Sequence, residues 1–364
     1  MAAAELLREI GGPAGCRALS EAFYSRVKSD PVLRPFFPGV SLRCATEELS
    51  AFLVQALEGP PEATQKRWWV SLRESHQRHR IGPRERDAWL GIMASTLEAA
   101  ALPAPAHDTL LQFFQQLAAH IVNTEDVDPG VAPGALASRQ YEVDAVVEAV
   151  RGGHFDKAVQ LTEASAYIQA NHAVLASVLG LMLTDGHLTE YVRARLNREA
   201  GLAAVRYSGR TLLHTAAAAG DKDTVELLLR FGAPVDVNDD GEHTPLYAVA
   251  NQCQSAGGPA VVHALVRAGA AVDACEGSKR CTPLHMAARR GNEAIAAALL
   301  ESGAAIDARD IAGDTPLRRA VNCGKSGVAA LLVAHGADRN SPGSKGMTPK
   351  SAARTPAMRQ ALGS

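Results

Sequence analysis

The sequence predicts an all-α protein with two domains, and three observations support that prediction. A chain of 364 residues is too long for one compact core, so two or more domains are expected. Over residues 1–123, apolar side chains recur at helical spacing between turns rich in proline and glycine. Over residues 141–364, a unit of about 33 residues repeats, which is typical of a helical solenoid. Residues 124–140 lack both patterns and are predicted to form a linker.

Composition narrows the classes of function. A hydrophobic content of 47% with 21% charged residues is typical of folded domains, and the net charge of −2 gives no reason to expect a nucleic-acid partner. The N-terminus lacks the pattern of a secretory signal, and the longest apolar run, at 172–184, is too short and too polar to span a bilayer. The six cysteines form no CxxC pair, which favours reduced thiols. We therefore expect a cytoplasmic protein without membrane contact.

The N-terminal domain is predicted to consist of helices separated by clear breaks. A short first helix ends at Gly11 and Gly12. The next helix carries Leu19, Phe23 and Val27 on one face and stops at DPVLRPFFPG, where three prolines and a glycine force a compact turn. The helices after the first are predicted to span about 14–29, 42–57, 70–77, 83–97 and 107–122.

The C-terminal repeats share a start close to Thr-Pro-Leu, and a glycine follows nine positions later in several of them. This glycine is present in three clear units, at Gly220, Gly291 and Gly324. The same offset relates Asp144 to Gly153 and Ser177 to Gly186, which predicts two weaker units upstream. Seven units are therefore predicted, starting near residues 144, 177, 211, 244, 282, 315 and 348.

Each unit has a physical logic. The threonine side chain can accept hydrogen bonds from free amides at the start of a first helix, where proline is also tolerated. Small alanines allow neighbouring helices to stack closely, and glycine ends the helix in a left-handed turn. A second helix with leucines at helical spacing completes the unit. One unit cannot bury its apolar face alone, so stability comes from stacking.

These units resemble ankyrin repeats over roughly residues 205–350. The resemblance implies helix–turn–helix units with β-hairpin loops and a surface that binds an as yet unknown protein partner. A stacked scaffold that only tethers or dimerises is the alternative. His214 and His285 occupy the histidine position of the motif, where the side chain usually has a structural role.

The first domain resembles the truncated haemoglobins, most closely their second group, from about residue 5 to residue 123. The residues that carry the resemblance are the double glycine at 11–12, AFYSRV, DPVLRPFFPG, RIGPRERDAWL and LAAHIVN. The family fold is a two-over-two helical sandwich that holds haem. The resemblance therefore implies a haem b cofactor with its iron.

On this resemblance, His76 corresponds to the proximal histidine that ligates the haem iron. A surface histidine cluster is the alternative, because His79 lies one helical turn away. Residues 66–86 contain seven Lys or Arg against two Glu, and arginine can hold the haem propionates through charge-assisted bonds. Arg80 is the first choice for this role and Arg73 the second, with a solvated basic face as the alternative.

The same resemblance places five residues around the ligand side of the haem. Phe37 corresponds to the aromatic residue stacked against the haem, and Leu49 supplies an apolar wall. Ala45 stands where many globins have a histidine, so a sixth ligand from that position is excluded. Tyr24 and Trp89 are then the available hydrogen-bond donors, with core packing as the alternative for both.

The sequence therefore predicts a haem globin that reversibly binds dioxygen, nitric oxide or carbon monoxide, joined to ankyrin repeats that bind protein. A gas or redox sensor read through the repeats is one form of this hypothesis. A haem redox enzyme, such as a nitric oxide dioxygenase or a peroxidase-like protein, is the first alternative. Dioxygenation would require a separate reductase, because the chain has no GxGxxG run. A haem-free ankyrin scaffold is the second alternative.

Overall fold

A computed structural model describes residues 2–37, 42–57, 59, 76, 79–123, 135–207, 209–343 and 346–363. Helices make up most of these residues, which confirms the all-α fold class. The described chain forms two compact units, Met1–Val178 with Tyr207–Gly209, and Leu179–Arg206 with Arg210–Ser364. Within the described ranges, no helix is both long enough and apolar enough to cross a membrane.

The first unit begins with the helices of the predicted globin domain. These are α1 (Ala3–Glu9), α2 (Gly12–Val27), α3 (Arg43–Ala56), α4 (Pro83–Ala99) and α5 (Ala104–His120), with a 3₁₀ turn at Arg34–Phe36 between α2 and α3. Helix α2 packs against α3 and α4 packs against α5, while α2 and α4 also touch. This arrangement of two helix pairs is the predicted two-over-two sandwich.

Helix α2 illustrates how the sequence sets this packing. It follows Gly11, whose φ of 89° is the left-handed conformation that glycine adopts readily. The predicted face of Leu19, Phe23 and Val27 is buried, at 6%, 0% and 0% exposure. This face contacts one continuous apolar core that includes residues from α1, α3, α4 and α5.

Helix α4 begins at Pro83, as predicted. Gly82 precedes it in an extended conformation, and its N–H donates a hydrogen bond of 2.9 Å to Glu85 Oε2. Because glycine has no side chain, this is one half of a capping box, and it fixes the first turn of α4 and the direction of the chain that enters it. Of the predicted short helix at 70–77, only His76 lies within the described residues, and its backbone is helical.

Helix α6 (Ala135–Arg151) begins within the predicted linker. Residues 124–134 lie outside the described residues, whereas 135–140 form the first turns of α6. The sequence ALASRQ explains this difference, because Ala, Leu, Arg and Gln favour helix and no proline or glycine interrupts them.

Helix pairs occupy the two positions predicted for weaker repeats. The elements are α6, α7 (Phe155–Ala164), α8 (Ala166–Ala170), α9 (His172–Asp185) and α10 (Thr189–Arg198), followed by a 3₁₀ turn at Ala200–Ala204. Gly153 lies between α6 and α7, and Gly186 lies between α9 and α10. Both have the positive φ expected of such turns, 71° and 86°.

The clear repeats follow in the second unit. A two-strand hairpin, β1 (Arg206–Tyr207) and β2 (Arg210–Thr211), leads into α11 (Leu212–Ala219), α12 (Lys222–Arg230), α13 (Pro245–Gln252), α14 (Gly258–Arg267), α15 (Pro283–Arg290), α16 (Glu293–Glu301), α17 (Pro316–Asn322), α18 (Ser326–Ala334), α19 (Pro349–Ala352) and α20 (Pro356–Ala361). Gly220, Gly291 and Gly324 all have positive φ, as predicted. Thr244, Thr282, Thr315 and Thr348 accept hydrogen bonds from the amides that start their helices.

The two motif histidines have the predicted structural role. His285 is fully buried, and its Nδ1 accepts a hydrogen bond of 3.2 Å from the Thr282 N–H. Its Nε2 lies 3.0 Å from the Asp314 carbonyl oxygen and donates to it, which joins one repeat to the next. His214 makes the equivalent bonds, to Thr211 and to the His243 carbonyl. Burial lowers the pKa of His214 to about 4 and also lowers that of His285, so both rings stay neutral at pH 7.

The unit that starts at Thr244 has Tyr247 in place of this histidine, and a different side chain accepts the hydrogen bond from its threonine N–H. Glu276, which follows in the next hairpin and is 4% exposed, accepts hydrogen bonds from the Thr244 N–H at 2.8 Å and the Thr244 hydroxyl at 2.6 Å. Burial raises the pKa of the Glu276 carboxyl from 4.5 to about 7, and the charges of Asp239 and Asp236 add to this while the two bonds oppose it. The carboxyl therefore replaces the missing imidazole across the repeat boundary.

Glu276→Gln is expected to remove a pH-dependent part of the stability of these repeats. Because the folded pKa lies above the unfolded value, the contribution of Glu276 is complete below pH 4.5 and declines as the pH rises towards 7. Glutamine does not titrate, so the free energy of local opening should shift in favour of the variant by ~1–2 kcal/mol over this interval. Hydrogen exchange of the α13 and α15 amides in the full chain, at several pH values, measures the difference.

Glu293→Gln, at an exposed position of α16, is the matched control and should leave the pH dependence unchanged. A wild-type pH profile that Glu276→Gln reproduces would show that Glu276 does not titrate in this interval.

Candidate functional site

A cavity of about 250 Å³ lies within the N-terminal helical sandwich. Helices α2, α3, α4 and α5 contribute its walls, together with the turn after α2 and the segment before α4. The lining side chains are mostly apolar or aromatic, and they are Tyr24, Leu33, Phe36, Phe37, Ala45, Glu48, Leu49, Phe52, His76, His79, Ile81, Glu85, Arg86, Trp89, Phe114, Leu117, Ala118 and Ile121. A concave, largely apolar site with a few polar groups is typical of a cofactor or ligand pocket.

The cavity brings together six of the seven site residues that the sequence predicts. These six are Tyr24, Phe37, Ala45, Leu49, His76 and Trp89. The seventh, Arg80, is exposed and does not line the cavity. Arg86 lines it instead, and its guanidinium also forms an ion pair of 2.8 Å with Asp87. Arg73, the second choice for the same role, lies outside the described residues.

Aromatic side chains build the wall that contains Tyr24. The rings of Tyr24 and Phe37 meet edge to face at 5.5 Å, and the buried Phe23 contacts both Tyr24, at 5.1 Å, and Trp89, at 5.2 Å. Trp89 also meets Phe114 of α5 at 5.5 Å. Edge-to-face pairs of this kind restrict ring motion, so the positions of Tyr24 and Trp89 are set by the core behind them.

The Tyr24 hydroxyl is a hydrogen-bond donor over the whole neutral pH range. Burial, and secondarily the carboxylate of Glu48, raise its pKa well above the usual value. Within the described part of the chain, its hydroxyl forms no hydrogen bond with another protein group. The proton of Tyr24 is therefore available to a molecule in the cavity.

His76 and His79 approach the cavity from the segment that precedes α4. His76 is partly buried, and the His79 N–H donates to the His76 carbonyl at 3.0 Å. The His79 ring packs edge to face on Phe36 at 5.4 Å. Asn123, just beyond α5, hydrogen-bonds to the backbone of this segment. The segment is thus attached to the residues just after α5, a helix that also lines the cavity.

Several lining residues were not predicted from the sequence. Glu48 and Glu85 bring carboxylates to the cavity, and Arg86 brings a cation. Glu85 is in the first turn of α4 and Arg86 follows it, so the predicted helix start at Pro83 was the one feature that could have indicated them. Glu48 lies one residue before the predicted Leu49, and no sequence motif marked it as a site residue.

The residues of this cavity fit a haem. The imidazoles of His76 and His79 line the cavity, and either type of ring nitrogen can serve as an axial ligand. Apolar and aromatic walls suit the macrocycle, and Arg86 offers a cation for a carboxylate at the edge. No cluster of three His, Cys, Asp or Glu side chains that could hold a bare metal ion occurs among the described residues. A single protein ligand fits a metal that arrives already bound within a macrocycle.

Comparison with known proteins agrees with this geometry. The family of bacterial-like globins matches residues 5–123. The Group 2 truncated hemoglobin YjbI of Bacillus subtilis (strain 168) is 32% identical over 110 residues, which cover 30% of this chain and 83% of that protein. The chain belongs to the truncated haemoglobin family. Haem binding is the general property of globins, and this truncated haemoglobin keeps a histidine, His76, on its cavity wall.

The second half of this truncated haemoglobin carries ankyrin repeats. Ankyrin families match residues 208–240 and, as three copies, residues 250–342. Ankyrin repeat and SOCS box protein 16 of Homo sapiens is 38% identical over 105 residues, and Alpha-latrotoxin-Lg1a of Latrodectus geometricus is 36% identical over 99 residues. These stretches cover 29% and 26% of this chain but only 22% and 7% of those proteins. The similarity to these two proteins is therefore confined to the repeats.

Proposed function

We propose that the N-terminal domain binds haem b through His76 and reversibly binds dioxygen, while the ankyrin repeats bind a protein partner. The observation that supports this most strongly is the convergence of His76, Tyr24 and Trp89, which are far apart in sequence, on one apolar cavity. Purified protein should change its absorbance spectrum reversibly when dioxygen is removed and restored under reducing conditions. A spectrum that does not respond to dioxygen would exclude reversible binding.

Haem b is the form that the chain's cysteines favour. Covalent attachment of haem c uses a CxxCH motif, and none of the six cysteines belongs to one. The cofactor would then be held by the His76 ligand, apolar contact and the propionates alone. When bound, haem supplies an iron that can take a diatomic ligand and change its oxidation state.

Arg86 is the residue we now assign to a propionate. Its side chain is 26% exposed, so the guanidinium can reach a carboxylate at the rim while its stem packs on the cavity. Arg80 remains a candidate only as an exposed, more distant charge. Glu48 would repel propionates, whereas the Glu85 carboxylate beside Arg86 already accepts a hydrogen bond from the Gly82 N–H.

The ligand side of the cavity would retain a polar diatomic ligand by hydrogen bonds. Ala45 offers no donor and no iron ligand, so the ligand position stays open to small molecules. Tyr24 keeps its proton, and the Trp89 ring nitrogen can only donate. Two such donors on an apolar wall favour dioxygen, whose oxygen atoms acquire negative charge on binding, over less polar ligands.

A second candidate function, a sensor whose repeats respond to the haem state, is favoured by contacts at the end of α5. His120 Nε2 donates to Asp144 Oδ2 of α6 at 2.7 Å, and Asp144 is only 1% exposed. The His120 ring stacks on Tyr141 at 3.9 Å, and the Tyr141 hydroxyl donates to the Gln116 carbonyl at 2.9 Å. The same end of α5 lines the cavity through Leu117, Ala118 and Ile121. A shift of α5 would therefore act directly on α6.

His120→Phe tests this coupling, because it keeps a ring against Tyr141 but removes the donor to Asp144. The local stability of α6 should fall by on the order of 1 kcal/mol, since the Gln140 amide still donates to the buried carboxylate at 3.1 Å. Hydrogen exchange of α6, measured on the haem-loaded ferrous protein with and without carbon monoxide, should differ in the wild type and lose that difference in the variant.

His107→Phe is the matched control, since His107 lies on the same helix and pairs with the exposed Asp108 at 3.0 Å. Equal exchange of α6 with and without carbon monoxide in the wild type would rule out the sensor function through this contact.

A further inference from the structure

We propose that Asn123 is the residue that positions His76, by fixing the backbone of the His76–Ile81 segment against α5. This inference rests on the proposed role of His76 as a haem ligand. Asn123 is not among the residues that line the cavity, and its hydrogen bond to His76 is to the backbone carbonyl. It would act on the ligand only through the backbone, which makes it a positioning residue.

Four hydrogen bonds connect Asn123 to this segment. The Asn123 N–H donates to the Ile81 carbonyl at 2.9 Å, and the Ile81 N–H donates to Asn123 Oδ1 at 2.9 Å. The side-chain nitrogen, Nδ2, donates to the His79 carbonyl at 2.7 Å and, over a longer 3.4 Å, to the His76 carbonyl. The amide oxygen, the amide nitrogen and the backbone N–H of Asn123 are thus all bonded to three residues, His76, His79 and Ile81.

The Asn123 side chain gives the His79 carbonyl a donor from outside the turn. It gives a second donor to the His76 carbonyl, which already accepts from the His79 N–H. His76 has helical backbone conformation, and the chain is already extended at Gly82, so the helical turn ends within these few residues. The last carbonyls of a helix have no partner within the helix and must be satisfied from outside. Asn123 therefore acts as a cap for the His76 turn that is supplied by a distant part of the chain.

Asn123 lies next to the cavity wall, so this cap connects the His76 turn to that wall. It follows α5 by three residues, and the last turns of α5 line the cavity through Leu117, Ala118 and Ile121. Ile81, which is paired with Asn123, is 8% exposed and lines the same cavity. The bonds to Asn123 consequently hold the backbone of His76 close to the end of α5.

The chemistry of the amide explains why other side chains would not serve. The contacts need one acceptor for the Ile81 N–H and donors for two carbonyls, and only an amide provides both. Aspartate has nearly the same shape and keeps the acceptor, but it lacks donors and would face the two carbonyl oxygens with a negative charge. Alanine lacks both groups.

Asn123→Ala and Asn123→Asp are therefore expected to weaken the hold of the protein on haem while the fold stays intact. Loss of groups that orient a metal ligand typically costs about 10- to 100-fold in metal affinity. We expect haem transfer from the full chain to excess apomyoglobin to be faster by roughly that factor. The iron–histidine stretching band of the ferrous protein, measured by resonance Raman spectroscopy, should shift or broaden in both variants.

Asn197→Ala is the matched control, because its side chain donates to a backbone carbonyl, that of Arg193, at 2.9 Å on an exposed helix face of the second unit. It should leave both measurements unchanged. If Asn123→Ala lowers the helix content measured by circular dichroism, the positioning role is tested with Asn123→Asp, which retains the bond from the Ile81 N–H.

The outcomes separate this inference from the proposed function. Loss of haem in His76→Gly with wild-type haem transfer and an unshifted stretching band in Asn123→Asp overturns the positioning role and leaves the haem ligand intact. Retention of haem in His76→Gly overturns the ligand assignment and this inference with it. Faster transfer with a changed band in the Asn123 variants supports the inference.

Discussion

Replacing His76 with glycine is expected to abolish stable haem binding and, with it, the Soret absorbance of the purified protein. His76 is the histidine that we propose as the haem ligand, and its backbone carbonyl is hydrogen-bonded to Asn123. Without an axial ligand, apolar contacts and the Arg86 charge alone would retain haem weakly. Absorbance of the variant, purified and then titrated with hemin, measures the loss.

His79→Gly is the control that distinguishes a ligand from a general role in packing. His79 also lines the cavity and packs on Phe36, but we expect this variant to keep the Soret band. Free imidazole should restore the band in His76→Gly, because it can occupy the space left by the removed ring and coordinate the iron through a ring nitrogen. A normal band in His76→Gly together with its loss in His79→Gly would transfer the ligand role to His79.

The elements that could be predicted from the sequence are those fixed by local chemistry. The spacing of Leu19, Phe23 and Val27 identified the buried face of α2, and Pro83 identified the start of α4. Glycines at the repeat turns were predicted because a positive φ is costly for other residues, and the weak unit whose helices flank Gly153 follows the same rule. These features depend on neighbours within a turn or two.

The features that escaped prediction join residues that are distant in sequence. Asn123 bonds to residues 42 and 47 positions away, and no local pattern distinguishes it from any other asparagine at a helix end. Glu276 substitutes for an imidazole that is absent from the preceding repeat, where Tyr247 stands, and this is visible only when the two repeats are stacked. In both cases the sequence shows the residue type but not its partner.

The choice between Arg80 and Arg86 shows a further limit. Both belong to one basic run, from which the sequence interpretation chose Arg80 first and Arg73 second as partners for a propionate. Arg80 precedes the extended Gly82, whereas Arg86 lies in the first turns of α4 and is turned towards the cavity by the docking of that helix. The rotation of a helix about its axis depends on tertiary packing. The density of positive charge in the sequence therefore located the basic region, whereas the packing of α4 determines which arginine lines the cavity.

Tyr24→Phe is expected to accelerate dioxygen dissociation from the ferrous haem protein by tenfold or more. Phenylalanine retains the edge-to-face contacts with Phe37 and Phe23 and removes only the hydroxyl. A hydrogen bond to a group that carries charge contributes about 1.5–3 kcal/mol, which corresponds to at least a tenfold change in affinity. Because association requires only entry into the cavity, the change should appear in the dissociation rate, measured by stopped-flow mixing of the oxygenated protein with a dioxygen scavenger.

Carbon monoxide provides an internal control, since its oxygen atom acquires little charge and gains little from a donor. Its dissociation rate should change much less than that of dioxygen in Tyr24→Phe. Trp89→Phe should act in the same direction if its ring nitrogen is the second donor, and Tyr191→Phe, outside the globin domain, should have no effect on either ligand.

Because burial raises the pKa of Tyr24, the wild-type dissociation rate should also stay constant from pH 6 to pH 9. Equal acceleration of both ligands in Tyr24→Phe would show that the hydroxyl shapes the cavity and does not bind dioxygen.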